Sequence, residues 1–342
     1  MDHLTDGDRR SSSRAWVDAL PKIELHCHLD GSLRPETVWD LARAENVDLP
    51  VSSADEVRRY FTAPKESLNV YLELFGHSLR VLQRGEHIAR AVRELMEDFS
   101  NENGIYIEIR FAPLLHLDGG LSPERVVEAA LDGFRQGHDE TDIEGGMILC
   151  GMRQDPPERT LETAKLADTY QSDGVLAFDL AGPERDFPPS RHERAIAHAK
   201  DAGLGVTIHA AEEPCPEHIE QSLDLGADRL GHGLFLKDAP DDVRDRIIAE
   251  GIPLEICPTS NLQTAGFDRY ADHPLIDYLR EGVCVTVNTD NRLMSNTTLR
   301  DELRHVASDF DLTEYDIRTM CENAARAAFR PGVLDRVRAE WP

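Results

Sequence analysis

Lysine is almost absent from this chain. Only five occur in 342 residues, at 22, 65, 165, 200 and 237, and Lys plus Arg total 37 against 64 Asp plus Glu, a net charge of -27. Nucleic-acid backbones are gripped by clustered cations, so that class of partner is disfavoured. Long apolar runs are missing too. No window offers the ~18 apolar residues of a membrane span, and the first fourteen residues are polar, with Arg9-Arg10 and Ser11-Ser12-Ser13. Neither a signal peptide nor an anchor is expected, and the protein is placed in the cytoplasm. The cysteines stand singly at 27, 150, 215, 257, 284 and 321 with no C-x-x-C. They read as small buried hydrophobes in a reducing compartment. An acidic surface poor in lysine is also what a salt-rich cytoplasm favours.

What is present is a rhythm. A short apolar run, Ile23 to Gly31, ends in His26 and His28 and then turns. Further strand-like runs follow at Gly104–Phe111, Met147–Met152, Gly174–Leu180, Gly205–His209, Asp228–His232, Pro253–Cys257 and Val283–Asn288. Helical patterns separate them, for example Pro123–His138, Glu158–Tyr170, Arg191–Ala202, Glu217–Leu225 and Asp241–Glu250. Strands alternating with helices imply a parallel sheet, and eight of them imply an α/β fold of the (β/α)8 TIM-barrel type. Residues 1–15 are expected to form a polar tail, and 16–342 a single barrel domain. Extra helices are inserted after strand one. One covers about Arg34–Ala44, and others lie between Glu66 and Phe99, where Tyr71 and Phe75 fall on apolar faces and read as core.

The barrel decides how the histidines weigh. Active sites of this architecture lie at the C-terminal ends of the strands. There the first strand offers His26 and His28, two apart and so on one face. The fifth offers His209, the sixth His232, and the eighth Asp290. A lone His-x-His at a strand end could be an ordinary polar terminus. Five metal-compatible side chains at one mouth point instead to a metal site, and three imidazoles with a carboxylate suit Zn²⁺ with room for a water.

In order along the chain, the motifs Glu24-Leu25-His26-Cys27-His28-Leu29-Asp30-Gly31, Glu108-Ile109-Arg110-Phe111-Ala112-Pro113 and Phe178-Asp179-Leu180-Ala181-Gly182 resemble the adenosine deaminases of the amidohydrolase superfamily. So do His209-Ala210-Ala211-Glu212, Asp228-Arg229-Leu230-Gly231-His232-Gly233, Cys257-Pro258-Thr259-Ser260-Asn261 and Asn288-Thr289-Asp290-Asn291-Arg292-Leu293-Met294-Ser295, the last resembling the bacterial branch. The resemblance spans about residues 20 to 330.

It implies zinc-dependent hydrolysis of adenosine and deoxyadenosine to inosine-type products and ammonia, with hydroxide on the zinc attacking purine C6. His26, His28, His209 and Asp290 match the zinc ligands. Glu212 matches the proton donor to purine N1, and His232 the residue that assists deprotonation of the water. Gly182 matches the backbone position meeting purine N3, Asp30 the carboxylate facing the 5′-hydroxyl, and His28 also borders the substrate. Two-metal relatives bridge their ions with a modified lysine at a strand end. No lysine stands there, so one zinc per chain is expected.

Two positions depart from the family pattern. Ala211 stands where glycine is usual, which puts the turn that aims Glu212 in question. Asn291 stands where animal members have aspartate. It is expected to donate to purine N7, with capping of the following turn as the alternative. Free adenine, or a 5′-thio or futalosine-type nucleoside, would use the same catalytic residues. A cytidine-deaminase reading fails, because Pro214-Cys215-Pro216-Glu217 lacks the second cysteine of P-C-x-x-C.

Overall fold

The computed structural model describes residues 15–62, 68–265, 267 and 269–341. The polar stretch 1–14 lies outside the described residues, and a helix begins at Ala15. Eight parallel strands follow one another around the sheet: β1 (Lys22–His28), β2 (Gly104–Phe111), β3 (Glu144–Met152), β4 (Val175–Ala181), β5 (Gly205–Ala210), β6 (Arg229–His232), β7 (Leu254–Ile256) and β8 (Val285–Val287). Each matches a run expected from the sequence to within a few residues. β1 and β8 meet just beyond the end of β8. His28 N–H donates to Asp290 O and Asp290 N–H to His26 O, both at 2.8 Å, and Leu25 N–H donates to the Asn288 side chain. The fold is a (β/α)8 barrel.

Alternation explains which side chains enter the lumen. Along β1, Ile23 and Leu25 pack with Ala324, Ala325, Val333 and Val337 of the C-terminal helices, while Cys27 joins the main apolar core. Glu24, His26 and His28 therefore share the opposite face. Along β2, Ile107, Ile109 and Phe111 join the outer core, and Glu108 and Arg110 point inward. The contacts prove it. Arg110 reaches Asp179 of β4 at 3.1 Å and Glu255 of β7 at 2.8 Å, and Arg229 of β6 reaches Glu108 at 2.6 Å. Those strands are not sheet neighbours of β2, so the pairs cross the interior. Where barrel lumens are usually filled by branched apolar side chains, this one holds paired charges.

Among the described residues between β1 and β2 there are five helices: Pro35–Ala44, Ala54–Phe61, Leu68–Glu73, Phe75–Val81 and Gly85–Ser100. The second was not anticipated. It buries only Val57 and Phe61, too few for a visible period, and it starts at Ser53, whose hydroxyl accepts from Glu56 N–H, an N-cap.

Candidate active site

Four chain segments leave the strands through left-handed backbone: Gly182 after β4 (φ 110°), Ala211 after β5 (52°), His232 at the end of β6 (61°) and Asp290 after β8 (60°). A side chain with a Cβ is disfavoured there by about 1–3 kcal/mol, and such strain gathers where geometry is imposed by function. Glycine is the natural occupant at 182 for a second reason. A Cβ there would lie 2.4 Å from Gln154 Oε1. At 211 alanine adopts the conformation that glycine would take, so the turn is kept and Glu212 still faces the mouth.

The polar atoms of the mouth converge. His28 Nε2 lies 3.3 Å from His209 Nε2 and 3.4 Å from Asp290 Oδ1, and His26 Nε2 lies 3.5 Å from the same oxygen. Ligand atoms set ~2.1 Å from one ion at tetrahedral angles stand about 3.4 Å apart. His26 Nε2 and Asp290 Oδ1 are buried with no hydrogen-bond partner. Orphaned atoms of this kind fit a cation between them. Candidate ligand groups comprise His26 with His28 and Asp290, and His26 with His209 and His232.

Three of the candidate ligands, His26, His209 and Asp290, are aimed from behind. His26 Nδ1–H donates to Glu255 Oε2 at 2.8 Å and His209 Nδ1–H to Asp179 Oδ1 at 3.1 Å; carboxylates only accept, so both Nε2 lone pairs turn to the centre. Arg110 joins the two carboxylates. Asp290 Oδ2 accepts from Ser260 Oγ at 2.6 Å, which leaves Oδ1 for the centre. Burial holds His28 and His232 well below the usual imidazole range and lowers His209 as well. Burial would raise Asp290, but His26 and the neighbouring imidazoles hold it well below the carboxylate range. His28 and His209 thus tend to the neutral form and Asp290 to the ionised form that bind metal, whereas His26, which burial and Arg110 would lower, is raised by Asp290 and Glu255 and gives up its proton only as an ion enters.

His232 is set by a relay. Leu275 N–H donates to His273 Nδ1 at 3.0 Å, so His273, neutral because burial pushes it down to about 3, carries its proton on Nε2. That nitrogen donates to Asn261 Oδ1 at 3.2 Å, and Asn261 Nδ2 donates to His232 Nδ1 at 3.1 Å. The neutral His232 then bears its proton on Nε2, which faces Glu212 Oε2 at 3.6 Å. Glu212 is 7% exposed. Its carboxyl is held well above the usual range, first by burial and then by the charges of Asp290, Glu184 and Glu213.

These groups open on a cavity of about 380 Å³ that His28, Asp30, Gly182, His209, Glu212, His232, Asp290 and Asn291 all line. Tyr71 and Phe75 also line it. That corrects the reading of the inserted-helix aromatics as core alone; the two helices lie over the mouth. No lysine lines the cavity, and Lys22 lies at the opposite end of β1. Lys65 is outside the described residues.

A family model for adenosine deaminase matches residues 21–337. The chain belongs to the adenosine deaminase family. It is 44% identical over 313 residues to an adenosine deaminase of Clostridium acetobutylicum, covering 91% of this chain and 93% of that one. It is 40% identical to one of Clostridium perfringens, covering 91% and 94%. Among solved structures, an adenine deaminase from Arthrobacter aurescens superposes with a TM-score of 0.87 at 27% identity, covering 94% of this chain and 98% of that one. A zinc-bound amidohydrolase from Burkholderia ambifaria gives 0.88 at 25%, covering 99% and 93%. The chain is thus an enzyme, an adenosine deaminase-like aminohydrolase, whose mouth gathers a His/Asp cluster of metal-binding type.

Asp179, Glu255, Ser260 and His273 were not singled out from the sequence. A signal existed for two of them, since Asp179 and Glu255 each interrupt an apolar strand (Phe178-Asp179-Leu180 and Leu254-Glu255-Ile256). A charge between buried neighbours must have a partner.

Proposed function

We propose that this protein hydrolyses adenosine and 2′-deoxyadenosine to inosine or deoxyinosine and ammonia, with one zinc per chain held by His26, His28, His209 and Asp290. The observation that carries the reading is Glu212, a buried carboxyl in the wall of the same cavity onto which the candidate ligands open, its pKa raised first by that burial. A zinc ion there supplies a water of lowered pKa and a positive charge beside the reacting carbon. The chain does the rest. Glu212 donates its proton to purine N1, drawing electrons from C6 so that water adds there and the amino group leaves as ammonia. His232, its proton on Nε2, orients the attacking oxygen as a donor, and the ionised Asp290 takes the proton that water loses and passes it to the amino group, which leaves as ammonia while C6 keeps the oxygen. Gly182 offers backbone to N3 and Asn291 its amide to N7. Asp30 Oδ1, buried without a partner, is placed for the 5′-hydroxyl, which favours a nucleoside over free adenine or a 5′-thio analogue.

Ammonia release from a panel of adenosine, deoxyadenosine, adenine and 5′-methylthioadenosine tests this. The two nucleosides with a free 5′-hydroxyl should react fastest, and metal analysis should return one zinc. Release from adenine alone, or full activity with two metals or none, would overturn it. Glu212→Gln should keep its zinc and lose about 10²-fold or more in turnover.

A further inference from the structure

Glu184 has no part in the chemistry described so far, yet it is 1% exposed and meets the turn that carries Glu212. Its Oε1 accepts the Ala211 N–H at 2.6 Å, and its Oε2 accepts the N–H groups of Glu212 at 2.9 Å and Glu213 at 3.1 Å. His218 Nδ1, in the first turn of the helix Glu217–Asp224, stands 3.0 Å from Oε1, and Arg153 Nη1 4.0 Å from it. Three successive N–H groups folded around one oxyanion form a nest, which needs a left-handed residue within it. Ala211, buried and at φ 52°, is that residue. Alanine resists this backbone where glycine would not, so something must hold it.

We propose that Glu184 is a positioning residue for the acid: by gathering the Ala211, Glu212 and Glu213 amides it holds the turn in its left-handed form and aims the Glu212 carboxyl into the cavity. This rests on the reading of Glu212 as proton donor. Glu184 does not itself line the cavity, so its action is through the turn. Its negative charge also lies beside Glu212, together with Asp290 and Glu213, against Arg153; His232 faces Glu212 from β6.

The test compares wild type, Glu184→Gln and Glu184→Gln/Ala211→Gly in steady-state deamination across pH, with zinc counted in each. Glutamine fills the space, but its NH₂ is a donor and cannot receive the amides. In E184Q, kcat should fall about 10- to 100-fold through misaiming while KM moves by less than about threefold. The alkaline limb of kcat should shift to lower pH, because removing a neighbouring negative charge lets Glu212 lose its proton sooner. Zinc content should not change. The added glycine, free to adopt left-handed backbone, should restore part of kcat. Unaltered kcat and pH limb, zinc loss in step with activity, or no recovery from A211G would each overturn the proposal. Should E184Q not fold, Glu184→Asp keeps the charge but shortens the reach. A lower kcat with an unmoved alkaline limb then supports positioning, and an unchanged kcat overturns it. A wild-type protein that releases no ammonia from any aminopurine nucleoside defeats the functional reading and this proposal with it. An active wild type with an indifferent E184Q defeats this proposal alone.

Discussion

Asn291 begins the short helix Arg292–Ser295, yet its side chain makes no capping hydrogen bond there. Its Oδ1 is buried without a partner and packs over Gly31, where a Cβ would lie 1.9 Å away. The capping alternative therefore has no bond behind it, and the amide borders the cavity. An amide always offers donors, whereas an aspartate must first be protonated. Replacing purine N7 by carbon removes the acceptor and should cost about 1–3 kcal/mol, or roughly 5- to 150-fold in kcat/KM. Because the deaza ring also differs electronically, the substrate should be crossed with Asn291→Ala in a double-mutant cycle. An alanine variant that penalises adenosine and 7-deazaadenosine equally would remove the N7 contact. Residues at strand ends were legible in the sequence because barrel logic says where strand ends go. Their supports were not. Asp179 bonds His209 from the neighbouring strand β4, and Glu255 bonds His26 from 229 residues away, a pair that only the rolled sheet brings together.

At the scale of elements, the eight strands were legible because each is a compact apolar run, and the longer helices because period 3.6 repeats. The inserted Ala54–Phe61 helix was not, nor was the way the segment 66–99 divides into Leu68–Glu73, Phe75–Val81 and Gly85–Ser100; Ala54–Phe61 and Phe75–Val81 bury two side chains each and leave little pattern. The helix Leu299–Asp309 buries Glu302 completely. Burial raises its carboxyl from 4.5 to about 7, against hydrogen bonds from Thr259 and Thr297. Between those values the folded state binds the proton more tightly than the unfolded chain does. The resulting stability is fully present below about pH 4.5 and is lost as pH rises through about 7, on the order of 3 kcal/mol at most. Glu302→Gln cannot titrate, so its urea-unfolding free energy should fall less than that of wild type between about pH 5 and about pH 8. Parallel losses in the two proteins would show that Glu302 titrates alike in both states.

For the molecule as a whole, the net charge of -27 is self-repulsion spread over the surface. Screening lengths shrink from about 10 Å at 0.1 M salt to about 3 Å at 1 M, so the melting temperature should climb as salt is raised into the molar range. A flat or falling curve would dismiss the salt-rich habitat inferred from the composition. No described helix is long and apolar enough to cross a membrane.

The join between β1 and the end of β8 has a consequence in time. Leu25 and Asn288, which meet there, are 263 residues apart, and closing such a loop in a structureless chain would cost about 5 kcal/mol of entropy beyond a constant. The intervening strands lower that cost by rolling the ends toward each other, so the join needs all eight strands to be present. Asp290 is both a residue that makes it and the only carboxylate among the proposed ligands. A growing chain thus carries the three proposed imidazoles long before it owns the fourth. If those four residues hold the metal as proposed, ribosomal synthesis leaves the centre one ligand short until the eighth strand has been made.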